Sequence, residues 1–517
     1  MTSAASSATL STKVAWHAKY RPNHPAVVDG KLTLSYGELD RRARAVAAGL
    51  RAQGVARGDV VSVQLPNTAD FVVMAVAAAH GGMVLGPLSP RFGLPEVGHV
   101  VSRSASRVLV YNRDDNSAVA EAIAADRPDL LRVVAGGRPA RSGELPLVDL
   151  DGPGADLRAG VGLDEPAVAL HSSGTEGLPK LPLHTERSLM HCTTAVAERN
   201  HLTPADRFLV AVPITTGTGT HGMVHCALVV GATLVMMPAW DPRTAAALVA
   251  EHRCTYSIAP TTMLFDLLND PAVSHDQLDS LRVFTCGGSP IPSEVVEHAA
   301  DELSLVVSPM YGSTECLAAT NGHPDDPPEL LSGSDGPALL GVDIAIAGPD
   351  GAILGPGEAG QILVGGPTLF QGYLGQPERT AQALAGGWYR TGDVGRLDKD
   401  GYLRVIDRIS DIIIRGGTNI SSKDVENDLL AHPDIAEVAV VAAPDDRLGE
   451  RIAAFVVARS GAVAPTFEDV LQVLEDRGVA RYRWPERLDV LPGLPRNSSG
   501  KVQKAVLRQR LREEVGS

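Results

Sequence analysis

Apolar positions along this chain alternate between two periods. In residues 36–51, Leu39, Ala43, Val46 and Leu50 fall on one face of a helix, and residues 59–65 then form a β-branched run that predicts a buried strand. The pairing returns at 208–212 before an apolar helix, at 257–259 before another, and at 281–286 before 293–300. Such alternation predicts an α/β fold, with a large N-terminal domain of mainly parallel, helix-covered sheets. From 333 to 373 the helical spacing yields to short strands punctuated by Gly and Pro, which predicts a small β subdomain. A boundary is expected near 408–410, dividing the chain into domains 1–409 and 410–517. Beyond it the pattern predicts a strand at 412–414, a turn at Gly416 and Gly417, a helix at 422–431, strands at 437–441 and 452–457, and helices at 467–477 and from 502. That is a small α+β domain, large enough for a core of its own.

Composition narrows the function classes. A chain of 517 residues with 44% hydrophobic residues suits a multidomain globular protein. Its net charge of −15 argues against nucleic acid or an anionic membrane as a bulk partner. The five cysteines are widely spaced, with no metal-ligand or redox spacing among them. No secretory pattern opens the chain, and the apolar stretches at 72–79 and 227–237 are too short or too glycine-broken to span a bilayer. A cytoplasmic protein is expected.

The first candidate chemistry is the segment SSGTEGLPK at 172–180. Its glycines free the backbone, Ser172, Ser173 and Thr175 offer hydroxyls, and Lys180 offers a cation: the parts of a phosphate cradle. Glu176 sits inside it and Glu186 follows, and both carboxylates are expected to oppose a polyphosphate. Further signatures follow in order: YGSTE at 311–315, YRTGD at 389–393, IDRISDIIIRGG at 406–417 and PRNSSGK at 495–501.

This ordered set resembles the adenylate-forming superfamily of acyl- and aryl-CoA ligases, peptide-synthetase adenylation domains and beetle luciferases, over nearly the whole chain. The resemblance implies a cleft between the large domain and a mobile C-terminal domain, with AMP, an acyl adenylate and CoA as substrates or products. By that resemblance Ser172, Thr175, Glu176 and Lys180 border the phosphates, Thr314 contacts the α-phosphate, and Glu315 helps hold Mg²⁺. Asp393 would take the ribose hydroxyls and Arg408 a ribose or phosphate oxygen. Gly287, Gly288, Ser289 and Pro290, with Met310, Tyr311, Gly312 and Ser313, would sandwich adenine and border the acyl pocket. Thr216, Gly217, His221, Gly287 and Gly312 would line that pocket. Lys501 corresponds to the mobile lysine of adenylation. Gly416 and Gly417 correspond to the pantetheine tunnel, with Arg483 and Trp484 at its mouth, and Ser410 to the hinge.

The chain also departs from the family pattern. Glu176 replaces a small hydroxyl, Leu181 a glycine, Glu186 a histidine, Thr216 an aromatic or histidine, and Ser410 an Asp or Lys. The small residues of 215–220 leave room for a bulky, polycyclic or branched acid. No phosphopantetheine serine follows Lys501, so free CoA is the expected acceptor. An intact AMP side beside an acidic phosphate segment resembles the non-adenylating acyl-CoA ligases of diterpenoid antibiotic pathways such as platensimycin's. The leading expectation is therefore thioesterification of an acyl adenylate supplied by a separate adenylating enzyme. A complete ATP-dependent ligase and a silent acyl-adenylate-binding protein are the alternatives.

Overall fold

In the computed structural model, residues 8–136, 143–150, 161–172, 178–288, 291–496 and 502–515 are described. Two eight-stranded sheets form the large domain. In the first, six strands run parallel, in the order Val306–Ser313, Val283–Gly287, Tyr256–Ala259, Arg207–Val210, Thr233–Met236 and Pro25–Asp29, with Leu317–Asn321 and Leu32–Ser35 antiparallel at the edges. In the second, Pro166–Ala169, Val84–Pro87, Val60–Gln64, Val108–Asn112, Leu131–Ala135 and Glu144–Pro146 run parallel. Strands that are buried on both faces carry continuous apolar runs instead of alternation. Val60–Gln64 is buried at all five positions, its two polar residues Ser62 and Gln64 held by hydrogen bonds.

The helix Ala69–Gly81 touches strands of both sheets and is apolar nearly all round, as a helix enclosed by two layers must be. The helix Tyr36–Ala52 lies against it and closes its N-terminus with a capping box between Ser35 and Glu38.

The third sheet is the β subdomain, and it differs from expectation in its bounds. It comprises Asp343–Ala347, Gly360–Gly365, Trp388–Leu397, Leu384–Ala385 and Leu403–Arg408, all antiparallel. Gly372–Tyr373, expected within it, instead pairs with Pro182–Thr185 at the edge of the second large sheet. A two-residue strand has too little pattern to announce its partner.

The C-terminal sheet consists of Thr418–Ile420, Ile413–Arg415, Gly449–Ala458, Ile435–Asp445 and Arg487–Val490. Side chains alternate between its two faces. Val440, Ile452, Ala454 and Val456 meet Val425, Leu429, Val470 and Leu474 from the helices Ser422–Leu429 and Phe467–Asp476. On the other face Val441, Ala453 and Phe455 meet Leu507 and Leu511 of the helix Lys504–Val515. These apolar clusters include no residue before Ile413, so the unit has its own core.

The junction is a short 3-10 turn, Ile409–Asp411. Just before it, buried Asp407 accepts hydrogen bonds from Ser422 Oγ (2.9 Å), Ser421 Oγ (3.1 Å) and the Lys423 N–H (3.2 Å) at the start of the helix Ser422–Leu429. Arg508 pairs with Asp411 at 2.7 Å and donates to the Ser410 carbonyl at 3.1 Å. Among the described residues no helix is long and apolar enough to cross a membrane.

Candidate active site

A cleft of about 1250 Å³ runs across the carboxyl ends of the parallel strands of both large sheets. From the first sheet come Ala211–Pro213, Pro238–Trp240, Ala259–Pro260, Gly287–Gly288, Met310 and Gly312, each just past or at a strand's end; from the second come Leu65–Asn67, Ser89–Arg91 and His171–Ser172. Parallel α/β sheets bind ligands at this edge, because strand ends and following loops leave a crevice there.

One side of the cleft is small and largely uncharged. Asn67 Nδ2 reaches the carbonyls of Val212 and Met237 (2.9 Å each), and its Oδ1 accepts the Ile214 N–H at 2.7 Å, joining loops of both sheets. Thr216 Oγ1 donates to Pro213 O (2.8 Å) and accepts the Gly219 N–H (3.1 Å), while Thr220 Oγ1 donates to Ile214 O (2.7 Å). The chain then enters a wide helical turn, Thr218–His225, instead of the regular apolar helix expected there, which begins only at Cys226. Wide turns of this kind recur at functional sites. Gly219 is required: a Cβ would come within 2.2 Å of Pro213 O. His221 lines the cleft with its ring held at Thr193 Oγ1 (3.3 Å), and burial pushes its pKa down to about 3, so it is neutral.

The other side is polar. The hairpin of Val306–Ser313 and Leu317–Asn321 carries the YGSTE signature at its turn. Gly312 admits no side chain, since a Cβ would lie 1.9 Å from Leu317 O, and Leu317 itself takes a left-handed φ of 57°. Asp393, at a bend of Trp388–Leu397, accepts from Tyr311 Oη at 2.8 Å and faces Arg408 Nε at 3.4 Å. Buried Glu315 accepts from Tyr373 Oη at 2.9 Å. Burial, and then the Glu315 charge, pushes the Tyr373 and Tyr389 hydroxyls far above their ordinary range. His184 Nε2–H donates to Thr314 O at 2.7 Å, and burial holds this imidazole neutral, with its pKa lowered to about 4. Lys180 Nζ stands 5.6 Å from the centre of the Tyr373 ring. Ser172 and Lys180 form an antiparallel bridge on the cleft's rim, with the Ser172 N–H on Lys180 O at 3.0 Å.

Two family models match this chain: "AMP-binding enzyme" over residues 14–374 and "AMP-binding enzyme C-terminal domain" over 424–501. The chain belongs to the adenylate-forming acyl-CoA ligase family. It is 34% identical over 502 residues to the medium-chain fatty-acid–CoA ligase of Escherichia coli K12, covering 95% of this chain and 88% of that one. A feruloyl-CoA synthase of an Amycolatopsis species is 35% identical over 498 residues, covering 95% and 97%. The crystal structure of ATP-bound MatB from Rhodopseudomonas palustris superposes with a TM-score of 0.87 at 28% identity, covering 97% of this chain and 99% of that one. The enzyme is an acid–thiol ligase.

The ligase cleft gathers many of the residues expected from sequence. Ser172, Lys180, Thr216, Gly217, His221, Gly287, Gly288, Met310, Gly312, Ser313, Thr314, Glu315, Asp393, Arg408 and Ser410 all line it. Thr175, Glu176, Ser289, Pro290 and Lys501 lie outside the described residues. Tyr311 is not a wall residue; it lies buried behind the site and holds Asp393. Gly416 and Gly417 form the exposed turn between Ile413–Arg415 and Thr418–Ile420, at φ of 56° and 85°. Arg483 pairs with Asp428 at 2.6 Å, and the Trp484 indole N–H donates to Val479 O at 2.8 Å, so both are engaged within the C-terminal unit, away from the cleft.

Glu186 is a correction. The sequence expectation set it beside Glu176, against polyphosphate. Its side chain is instead fully enclosed by Leu10, Ala75, Ala78, Val168 and His225, and accepts the Leu10 N–H. The strand Pro182–Thr185 runs antiparallel to Pro166–Ala169 and so carries the chain away from the cleft. Four strand residues span roughly 13 Å. Sequence reasoning also passed over Asn67, His184, Tyr373 and Trp240. His184 stands just past the 172–180 segment and Tyr373 outside every signature, and their partners Thr314 and Glu315 lie far along the chain.

Proposed function

We propose that this ligase transfers the acyl group of a bulky acyl adenylate to CoA and releases AMP, with its own ATP-dependent adenylation weakened. The observation that carries the proposal is the Ser172–Lys180 bridge: both ends of the glycine-rich segment stand at the cleft's rim, and the sequence puts Glu176 between them. At about 5 Å and an effective dielectric of about 20, each pairing of that carboxylate with a phosphate charge costs roughly 3 kcal/mol. ATP meets this cost at its β- and γ-phosphates, and an acyl adenylate lacks both. The AMP side keeps its polar groups, with Asp393 and Arg408 for the ribose and Thr314 for the α-phosphate. Glu315 would hold Mg²⁺ where ATP is used; its second oxygen remains for a hard cation after one accepts from Tyr373.

The CoA sulfur attacks the acyl carbonyl, the C–S bond forms, and the anhydride C–O bond breaks with its electron pair on AMP. The thiol proton passes to solvent. The wall from Thr216 to His221, with Gly287 and Gly312, holds the acyl group. Residues 410–517 act as a mobile domain hinged at Ser410, bringing Lys501 for adenylation or Gly416 and Gly417, with Arg483 and Trp484, for CoA. A separate adenylating enzyme supplies the substrate. Five free, buried cysteines support a reducing, cytoplasmic setting.

A complete ATP-dependent ligase is the second reading, favoured by the position of Glu186, which leaves Glu176 as the one acid opposing polyphosphate. ATP–pyrophosphate exchange with a panel of acids, run beside thioester formation from synthetic acyl adenylates, separates the two. Weak exchange with brisk thioester formation is expected, and Glu176→Thr raises ATP affinity. Robust exchange by the unaltered enzyme refutes weakened adenylation.

A further inference from the structure

We propose that His275, His298 and Glu302 form a surface site for a divalent transition-metal ion, with zinc the ion its donors suit. None of the three lines the cleft. His298 and Glu302 lie four residues apart on the helix Ser293–Leu303, so their side chains share one face. His275 comes from the short turn His275–Gln277, and its ring centre is 6.1 Å from that of His298.

The donor atoms converge. Glu302 Oε2 is 3.3 Å from His275 Nδ1, and Oε1 is 3.5 Å from His298 Nδ1. One ligand atom from each of the three residues lies within 4.8 Å of the others. Two donors held about 2.1 Å from a tetrahedral ion stand roughly 3.4 Å apart, so the observed spacing needs little adjustment to admit one. His298 Nε2 is buried without a hydrogen-bond partner, which leaves Nδ1 as the ring's working nitrogen, aimed at the carboxylate. Two imidazoles and one carboxylate favour zinc-like ions over Mg²⁺ or Ca²⁺, which take oxygen ligands, and leave a fourth position for water.

The site spans one strand–helix unit. The turn His275–Gln277 precedes the strand Val283–Gly287, and the helix Ser293–Leu303 follows it. An ion there cross-links the two elements flanking Gly287 and Gly288, which form part of the cleft wall. It acts as a structural staple, apart from the reaction chemistry.

The test uses the full, tag-free chain, stripped with a chelator and titrated with zinc at about neutral pH, with His298→Ala and Glu302→Gln in parallel. Each variant is expected to bind zinc about 10-fold more weakly or worse, and to lose the zinc-dependent rise in melting temperature while its metal-free melt stays unchanged. Mg²⁺ does not compete. His323→Ala, in the similar surface group His201, His323 and Asp325, keeps wild-type affinity. The proposal is overturned if the unaltered chain binds no zinc, if His298→Ala and Glu302→Gln leave binding unchanged, or if only His323→Ala abolishes it.

Discussion

Replacing Glu186 by Gln should make this protein less sensitive to pH. The carboxyl is fully enclosed, with the Leu10 N–H as its hydrogen-bond donor, and burial raises its pKa from 4.5 to about 7. A carboxyl whose folded pKa is raised favours the fold while it is protonated. Its contribution is intact below the unfolded pKa, declines as pH rises toward the folded pKa, and is flat above it. At about 1.36 kcal/mol per decade, the 2.5-decade interval (7 minus 4.5) amounts to about 3.4 kcal/mol. Between about pH 5 and about pH 8 the loss is roughly 2.5 kcal/mol. Glutamine keeps an acceptor for Leu10 and cannot ionise, so this part of the pH dependence disappears. Its added amide donors contribute an offset that does not vary with pH. The assay is urea unfolding of both proteins across that range, followed by a probe on the large domain. The stability gap should widen in favour of Glu186→Gln as pH rises. Parallel curves would refute a carboxyl held neutral between Leu10 and His225.

Other expectations concern the cleft. Gly312→Ala drives a methyl into Leu317 O and should destabilise the hairpin by about 3 kcal/mol or more, read from thermal melts, with loss of activity. Tyr311→Phe removes the donor that fixes Asp393; at about 1.5 kcal/mol for a hydrogen bond to a charged group, AMP affinity should fall roughly tenfold by calorimetry, and no change would mean that Asp393 needs no such support. Lys501→Ala should remove whatever pyrophosphate exchange the enzyme has and spare thioester formation from a supplied adenylate. Equal loss of both would remove Lys501 from the adenylation role.

Much of the fold was legible because its signals are local. The runs at 59–65 and 281–286 read as buried strands since parallel strands covered on both faces are predominantly apolar. In the C-terminal unit three strands and three helices were legible from local pattern, but the short strands Thr418–Ile420 and Arg487–Val490 were not. What escaped depends on contacts between distant residues. Tyr311 meets Asp393 across 82 positions and Tyr373 meets Glu315 across 58, and no periodicity encodes either. Glu186 follows the glycine-rich segment closely in sequence yet lies away from the cleft in space, since one short antiparallel strand is enough to move a side chain from the rim of a sheet to its far end.

Asp407 stands on the last strand of the large domain, yet its carboxylate is spent on the first helix of the small one. Turning the C-terminal unit about Ile409–Asp411 would strip that carboxylate of three donors and leave the Lys423 N–H without its acceptor, while Ser421 Oγ still caps the Asp424 N–H. The Arg508 ion pair with Asp411, by contrast, ties the end of the turn to the helix Lys504–Val515 of the C-terminal unit. Under the proposed hinge motion, swinging would begin by breaking three hydrogen bonds to one buried carboxylate, away from any substrate.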